Sequence, residues 1–144
     1  MYNIYHSFPI NASPSQVFAG ISTPEGLDAW WAKSALGKAE TGAIYTLDFG
    51  PAYRWKAIVT QCRVNTHFEL QMTEADADWT GSKLGFALTD NGNGVTDVHF
   101  YHTGWPELNH HYRFSSFCWA MYLRLLRRNI EFGELVPYEK RLSV

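Results

Sequence analysis

His102 shares an alternating face with Val98 and Phe100, immediately before Gly104-Trp105-Pro106. A histidine on an apolar face must find a hydrogen-bond partner. Its imidazole suits two tasks there: orienting the polar end of a ligand, or removing a proton as a general base. A structural histidine bonded to backbone or to a tyrosine hydroxyl meets the same demand. The other polar candidates lead away from catalysis. His110 and His111 are neighbours and do not face one metal from a helix, and Phe114 and Ser115 occupy the i+4 places. Asp76 and Asp78 stand in a stretch without the glycine and distal glutamate of a calcium loop. Arg54 and Lys56 lie opposite Trp55, on the face given to solvent. There is no Gly-rich phosphate loop, no Gly-x-Ser-x-Gly elbow and no Cys-x-x-Cys. An enzyme needs a base with an orienting partner, plus a nucleophile or oxyanion donors. His102 alone falls short, so no catalytic residue, metal or cofactor is assigned.

The remaining chemistry is apolar. Aromatic residues are 16% of the chain, with 6 Trp, 8 Tyr and 9 Phe. Tyr45, Phe49, Trp55, Phe68, Met72, Phe86, Phe100, Phe117 and Met121 fall where they would wall a cavity. Aromatics and methionine supply apolar surface without strict directional demands. The competing outcome is that these side chains meet and fill the gap. Trp30 and Trp31, taken as helical neighbours, point about 100° apart. One then packs inward while the other lines or closes the mouth. Cys118, on the same helical stripe as Met121, reads as inert packing.

The elements that position these residues are legible from period and caps. Tyr2 to Ile10 alternates as a strand. Ser13-Pro14 with Gln16 reads as a capping box opening a short helix through Val17, Phe18 and Ile21. Thr23-Pro24-Glu25 repeats the signal for a second short helix carrying Leu27, Trp30 and Trp31. From Gly42 the period becomes two, and five strands follow, with Asp90-Asn91-Gly92-Asn93-Gly94 as the strongest hairpin signal. A long helix from about Asn109 to Phe132 ends at Gly133. Phe114, Cys118, Met121, Leu125 and Phe132 share one stripe, expected to lie on the sheet. Trp119, Leu123, Leu126 and Ile130 form a second apolar sector, which must meet the short helices or a partner.

The 144 residues suit one domain, 1–144, with 46% hydrophobic and 18% charged residues. A net charge of −2 gives no pull toward nucleic acid or anionic membrane. No stretch approaches the roughly 20 apolar residues of a membrane span. The start, MYNIYHSFPINA, lacks a basic segment followed by an apolar run, and Cys62 and Cys118 stand far apart. A reduced, cytoplasmic protein is expected.

The expected fold is α+β: a curved antiparallel sheet around a long C-terminal helix, with two short helices after the first strand. This order resembles the helix-grip fold of the START/Bet v 1-like (SRPBCC) superfamily. The nearest likeness is to its AHSA1-like branch, related to the C-terminal domain of the Hsp90 ATPase activator Aha1. Ile10-Asn11-Ala12-Ser13-Pro14, Ile21 through Leu27 with Trp30-Trp31, Val98 to Pro106, and Phe117 to Gly133-Glu134 carry the likeness. The resemblance implies an apolar cavity between sheet and helix that binds a small hydrophobic or lipid-like molecule. The ligand-contacting set is then Trp30, Trp31, Tyr45, Phe49, Trp55, Phe68, Met72, Phe86, Phe100, His102, Phe117 and Met121. It also implies two rivals: an Hsp90-type chaperone partner, or a cyclase- or hydrolase-type enzyme acting in the same cavity. A homodimer through the second sector of the long helix is a further expectation.

Overall fold

The computed structural model of the chain describes residues 1–144. Its first strand, β1 (Tyr2–Ile10), buries Ile4 and Ile10 on positions of one parity. α1 (Pro14–Ser22) opens on a reciprocal cap: the Gln16 amide donates to Ser13 Oγ, and the Ser13 amide donates to Gln16 Oε1. Thr23 closes α1 and caps α2 (Pro24–Asp28), accepting from the Gly26 amide at 3.0 Å. α2 is shorter than expected. It ends before Trp30 and Trp31, which lie in a turn. Released from helical spacing, both indoles turn inward, with 1% and 3% exposure. They stack on each other at 6.0 Å and 22°. The expectation that one of the two sits at a mouth is thereby corrected.

Six more strands follow: β2 (Ser34–Leu36), β3 (Ile44–Asp48), β4 (Arg54–Arg63), β5 (His67–Glu74), β6 (Lys83–Gly92) and β7 (Val95–Trp105). β2 is additional to the five expected. At three residues it is too short to show a period. All seven form one antiparallel sheet in the order β1-β7-β6-β5-β4-β3-β2. Register places Phe86 opposite Phe68 on one side and Phe100 on the other, a row of rings across three strands. The β6–β7 turn runs through Gly92, Asn93 and Gly94, all at positive φ, the conformation that Asn and Gly adopt most readily. On the opposite face Tyr101 lies over its register partner Gly85. A Cβ there would meet the Tyr101 hydroxyl at 2.5 Å. That hydroxyl donates to Glu69, whose second carboxylate oxygen accepts from Thr60 at 2.7 Å. The buried carboxylate is thus paired.

α3 (His110–Phe132) spans the concave face. Asn109 caps it through the Tyr112 amide at 2.9 Å, and Gly133 ends it at φ 68°. The helix is turned about its axis from the expected setting. Trp119, Leu123 and Leu126 of the second sector are buried, and Leu126 and Ile130 lie against Gly20 of α1, as expected; of the first stripe only Leu125 is buried. Phe114, Phe117 and Phe132 are 51%, 74% and 68% exposed. Phe117 therefore points away from the sheet, which corrects its place in the expected cavity wall. Trp119 sets the rotation. Burying its large indole swings Phe117, two residues earlier, roughly 160° around the helix.

A 3-10 helix (Tyr138–Ser143) completes the chain. Its Arg141 is 5% exposed and donates to the carbonyls of Val136, Ala32 and Asp28. The C-terminus is thereby tied to the turn that holds Trp30 and Trp31. No helix is long and apolar enough to cross a membrane.

Candidate functional site

The interior between sheet and α3 is a cluster of rings centred on Trp119. Its indole lies 4.5 Å from Phe100, 5.4 Å from Trp31 and 6.5 Å from Trp30, and stacks on Trp79 at 5.8 Å. Trp79 in turn meets Trp55 at 5.0 Å and His102 at 4.5 Å. Phe49 bridges Trp31 and Trp55 at 5.2 and 5.1 Å, and Phe86 meets Phe100 at 5.2 Å. Trp30, Trp31, Phe49, Trp55, Phe86, Phe100 and His102 are thus brought together. They meet as packed rings in mutual contact.

The rest of the expected set is distributed differently. Tyr45 and Phe68 pack on each other at 5.8 Å beside α1, where Phe18 meets Phe68 at 6.4 Å. The Tyr45 hydroxyl donates to the Ser22 carbonyl, and burial pushes it up to about 12. Met72 is buried, Met121 is half-buried on α3, and Phe117 is outside. The two hubs, Trp79 and Trp119, were absent from the expected wall. Trp79 sits in a polar loop that shows no period, and Trp119 lies on the sector assigned to other contacts. A tryptophan in Asp78-Trp79-Thr80-Gly81 is the one signal that pointed to the first.

His102 sits at the base of this cluster with no exposure. Trp119 Nε1–H donates to its Nδ1 at 3.1 Å, so Nδ1 is an acceptor. The remaining proton is therefore on Nε2, which donates to Ser82 Oγ at 2.8 Å. Ser82 donates onward to the Trp79 carbonyl at 2.5 Å. This runs opposite to an activated Ser–His pair, in which histidine accepts the serine proton. Burial also lowers the imidazole to about 3, so it stays neutral. His102 holds Ser82, Trp119 and the Trp79 loop in one chain of hydrogen bonds. A ligand reaches it only by displacing an indole.

Two openings flank α3. The first, about 170 Å³, lies on the Trp79 side. Trp79, Trp119, Phe114, Cys118 and Tyr122 form its apolar walls, and Ser115 and His111 add polar groups. Burial raises Tyr122 to about 12, so its hydroxyl stays protonated and able to donate. His111 Nδ1 lies 3.0 Å from Asp78 Oδ2, which also accepts from Asn109. Those hydrogen bonds hold the Asp78 carboxyl below its usual range. The Trp79 indole N–H is buried and has no acceptor. The second opening, about 180 Å³, lies between β1 and the other side of α3.

Over residues 11–131 the chain matches the family described as Activator of Hsp90 ATPase homolog 1-like protein. The Aha1 dimer from Colwellia psychrerythraea, solved in solution, superposes with a TM-score of 0.83 at 27% identity. The match covers 93% of this chain and 99% of that one. A Bacillus halodurans protein superposes at 0.75 with 24% identity, covering 91% and 98%. CalU16 from Micromonospora echinospora superposes at 0.76 with 16% identity, covering 98% and 81%. The last two share the fold. No curated protein matches the chain.

Proposed function

This chain belongs to the family of Activator of Hsp90 ATPase homolog 1-like proteins, and on that premise we propose that it binds a small, mostly apolar molecule in the Trp79–Trp119 cleft. The supporting observation is the cleft itself: about 170 Å³, walled by rings and opening beside α3. An apolar cavity of about 150 Å³ suffices to hold benzene. The guest is then a compound of one or two rings. Each 100 Å² of its apolar surface removed from water contributes roughly 2.5 kcal/mol. Larger guests require Trp79 to swing outward, which would join the cleft to Trp55, Phe100 and His102. The two cysteines, Cys62 and Cys118, are unbonded, which suits a reducing, cytoplasmic setting.

The test is native mass spectrometry of protein purified from its own host, paired with the Cys118→Trp variant, which fills the cleft. A co-purifying small apolar molecule that the variant loses supports the reading. A bare mass for the wild type, with no uptake of a neutral naphthyl probe, defeats it.

A second reading is self-association through the outer face of α3. Phe114 and Phe117 are neighbours there at 6.5 Å and half or more exposed. The Colwellia relative is described as a dimer. A chaperone of the Hsp90 type is the rival occupant of the same face, on the strength of the family description. Sedimentation separates the first from a monomer. Stimulation of the host Hsp90 ATPase, absent in Phe117→Ser, would favour the second.

A further inference from the structure

We infer that the free edge of β1, beside α3, is a docking groove for an extended acidic peptide segment that adds to the sheet as an eighth strand. β1 is an outer strand, paired only with β7. Three observations say which of its backbone groups point outward. Pro9 has no N–H, so the Pro9–Asp97 pair cannot exchange two hydrogen bonds. Tyr112 Oη donates to the Asn3 carbonyl at 2.7 Å, and the Asn11 amide donates to Glu131 at 2.8 Å. Asn3, Pro9 and Asn11 share a parity, so odd-numbered residues direct their backbone away from β7. Side chains of α3 occupy the two ends of this row. Between them, Tyr5, Ser7 and Pro9 present two N–H and three C=O groups. That is enough to pair a short strand.

The opening of about 180 Å³ runs along this stretch. Phe8, Ala120 and Leu123 give it an apolar floor for alternate side chains of an added strand. Arg124 and Arg127 stand on its helical wall, three residues apart on one face. Neither has a carboxylate partner: the ion pairs of the molecule are Lys38–Glu40, Lys56–Glu74, Lys83–Glu69, His111–Asp78 and Arg128–Glu134. The other arginines of α3 are occupied, Arg113 by the Leu108 carbonyl and Arg128 by Glu134. A second copy of this chain is a poor occupant. β1 contains no Asp or Glu, and two-fold pairing of the edges would face arginine pairs toward each other. An acidic peptide supplies both the missing strand and the missing carboxylates.

The test titrates the isotope-labelled full chain with an acetylated, amidated Glu-Val-Asp-Val-Glu-Val peptide and follows backbone amide resonances. Three controls accompany it: the same peptide with lysines in the acidic places, one with N-methylated alternate amides, and octanoate. Shift changes should centre on Tyr5, Ser7 and the Ala120–Arg127 turn pair. Affinity should fall about tenfold or more in the Arg124→Glu, Arg127→Glu double variant. The lysine and N-methyl peptides should be inert. Arg124→Gln with Arg127→Gln serves if charge reversal perturbs folding, as judged by thermal melting. Changes elsewhere in the chain overturn the inference, as does affinity indifferent to charge or to N-methylation. Binding of octanoate with the peptides inert, or self-association of the free protein through β1, overturns it equally.

Discussion

The two openings beside α3 are nearly equal in volume, about 170 and 180 Å³, and opposite in chemistry. On the Trp79 side the helix contributes His111, Phe114, Ser115, Cys118, Trp119 and Tyr122. On the β1 side it contributes Ala120, Leu123, Arg124 and Arg127. The partition follows from the pitch: His111, Phe114, Ser115, Cys118 and Tyr122 recur three or four apart along one flank, Ala120, Leu123, Arg124 and Arg127 along the other, and Trp119 lies between them. Space alone therefore does not assign function. The ring-walled cleft suits an apolar guest and the arginine-walled groove suits an anionic one. The cluster around Trp119 separates the two, because its packed rings leave α3 one favourable rotation over the sheet.

That division can be broken most severely at Trp119. Trp119→Ala removes a 2%-exposed indole and the donor to His102. It should cost about 3–5 kcal/mol, read by urea denaturation. A loss below about 1 kcal/mol would mean that the cluster does not set the helix. The next effect is on pH. The unfolded chain binds a proton at His102 near the ordinary value of 6.5, and the folded chain only near 3. Between those values the unfolded state holds more protons, so the contribution is complete above 6.5 and is lost as pH falls toward 3. Its slope is at most about 1.4 kcal/mol per pH unit. His102→Gln should flatten the stability curve in that window; parallel wild-type and variant curves would contradict a neutral His102.

Smaller effects should distinguish the two openings. Cys118→Trp should weaken a neutral naphthyl probe about tenfold, near 1.4 kcal/mol, while leaving acidic-peptide binding unchanged. Equal loss at both openings would show that they are not independent. Phe117→Ser should change stability by no more than about 0.5 kcal/mol, since the ring is 74% exposed. A drop beyond about 2 kcal/mol would return Phe117 to the interior. Any self-association through the outer face should weaken in the same variant, as sedimentation would register.

Much of the frame was legible in the sequence. Period-two runs marked β3 to β7, and Ser13, Thr23, Asn109 and Gly133 marked helix ends, because caps and alternation are local. The site was legible only in part. Rings destined to meet, such as Phe86 and Phe100, followed from strand parity. The rotation of α3 did not, since two thirds of its circumference is apolar and either sector would satisfy burial. β2 was too short to show a pattern. Trp79 and Arg141 lie in segments without a period, and each acquires its role from partners far away in the chain.

By itself the sequence determined an antiparallel sheet with a long C-terminal helix and an aromatic interior, because near-neighbour chemistry and hydrophobic alternation are written into consecutive residues. Tertiary structure decided which face of α3 meets the sheet, that His102 is a neutral, doubly bonded strut, and that two chemically opposed openings remain at its flanks. Those outcomes rest on the fit of large indoles across strands, and shape complementarity between distant segments has no local signature.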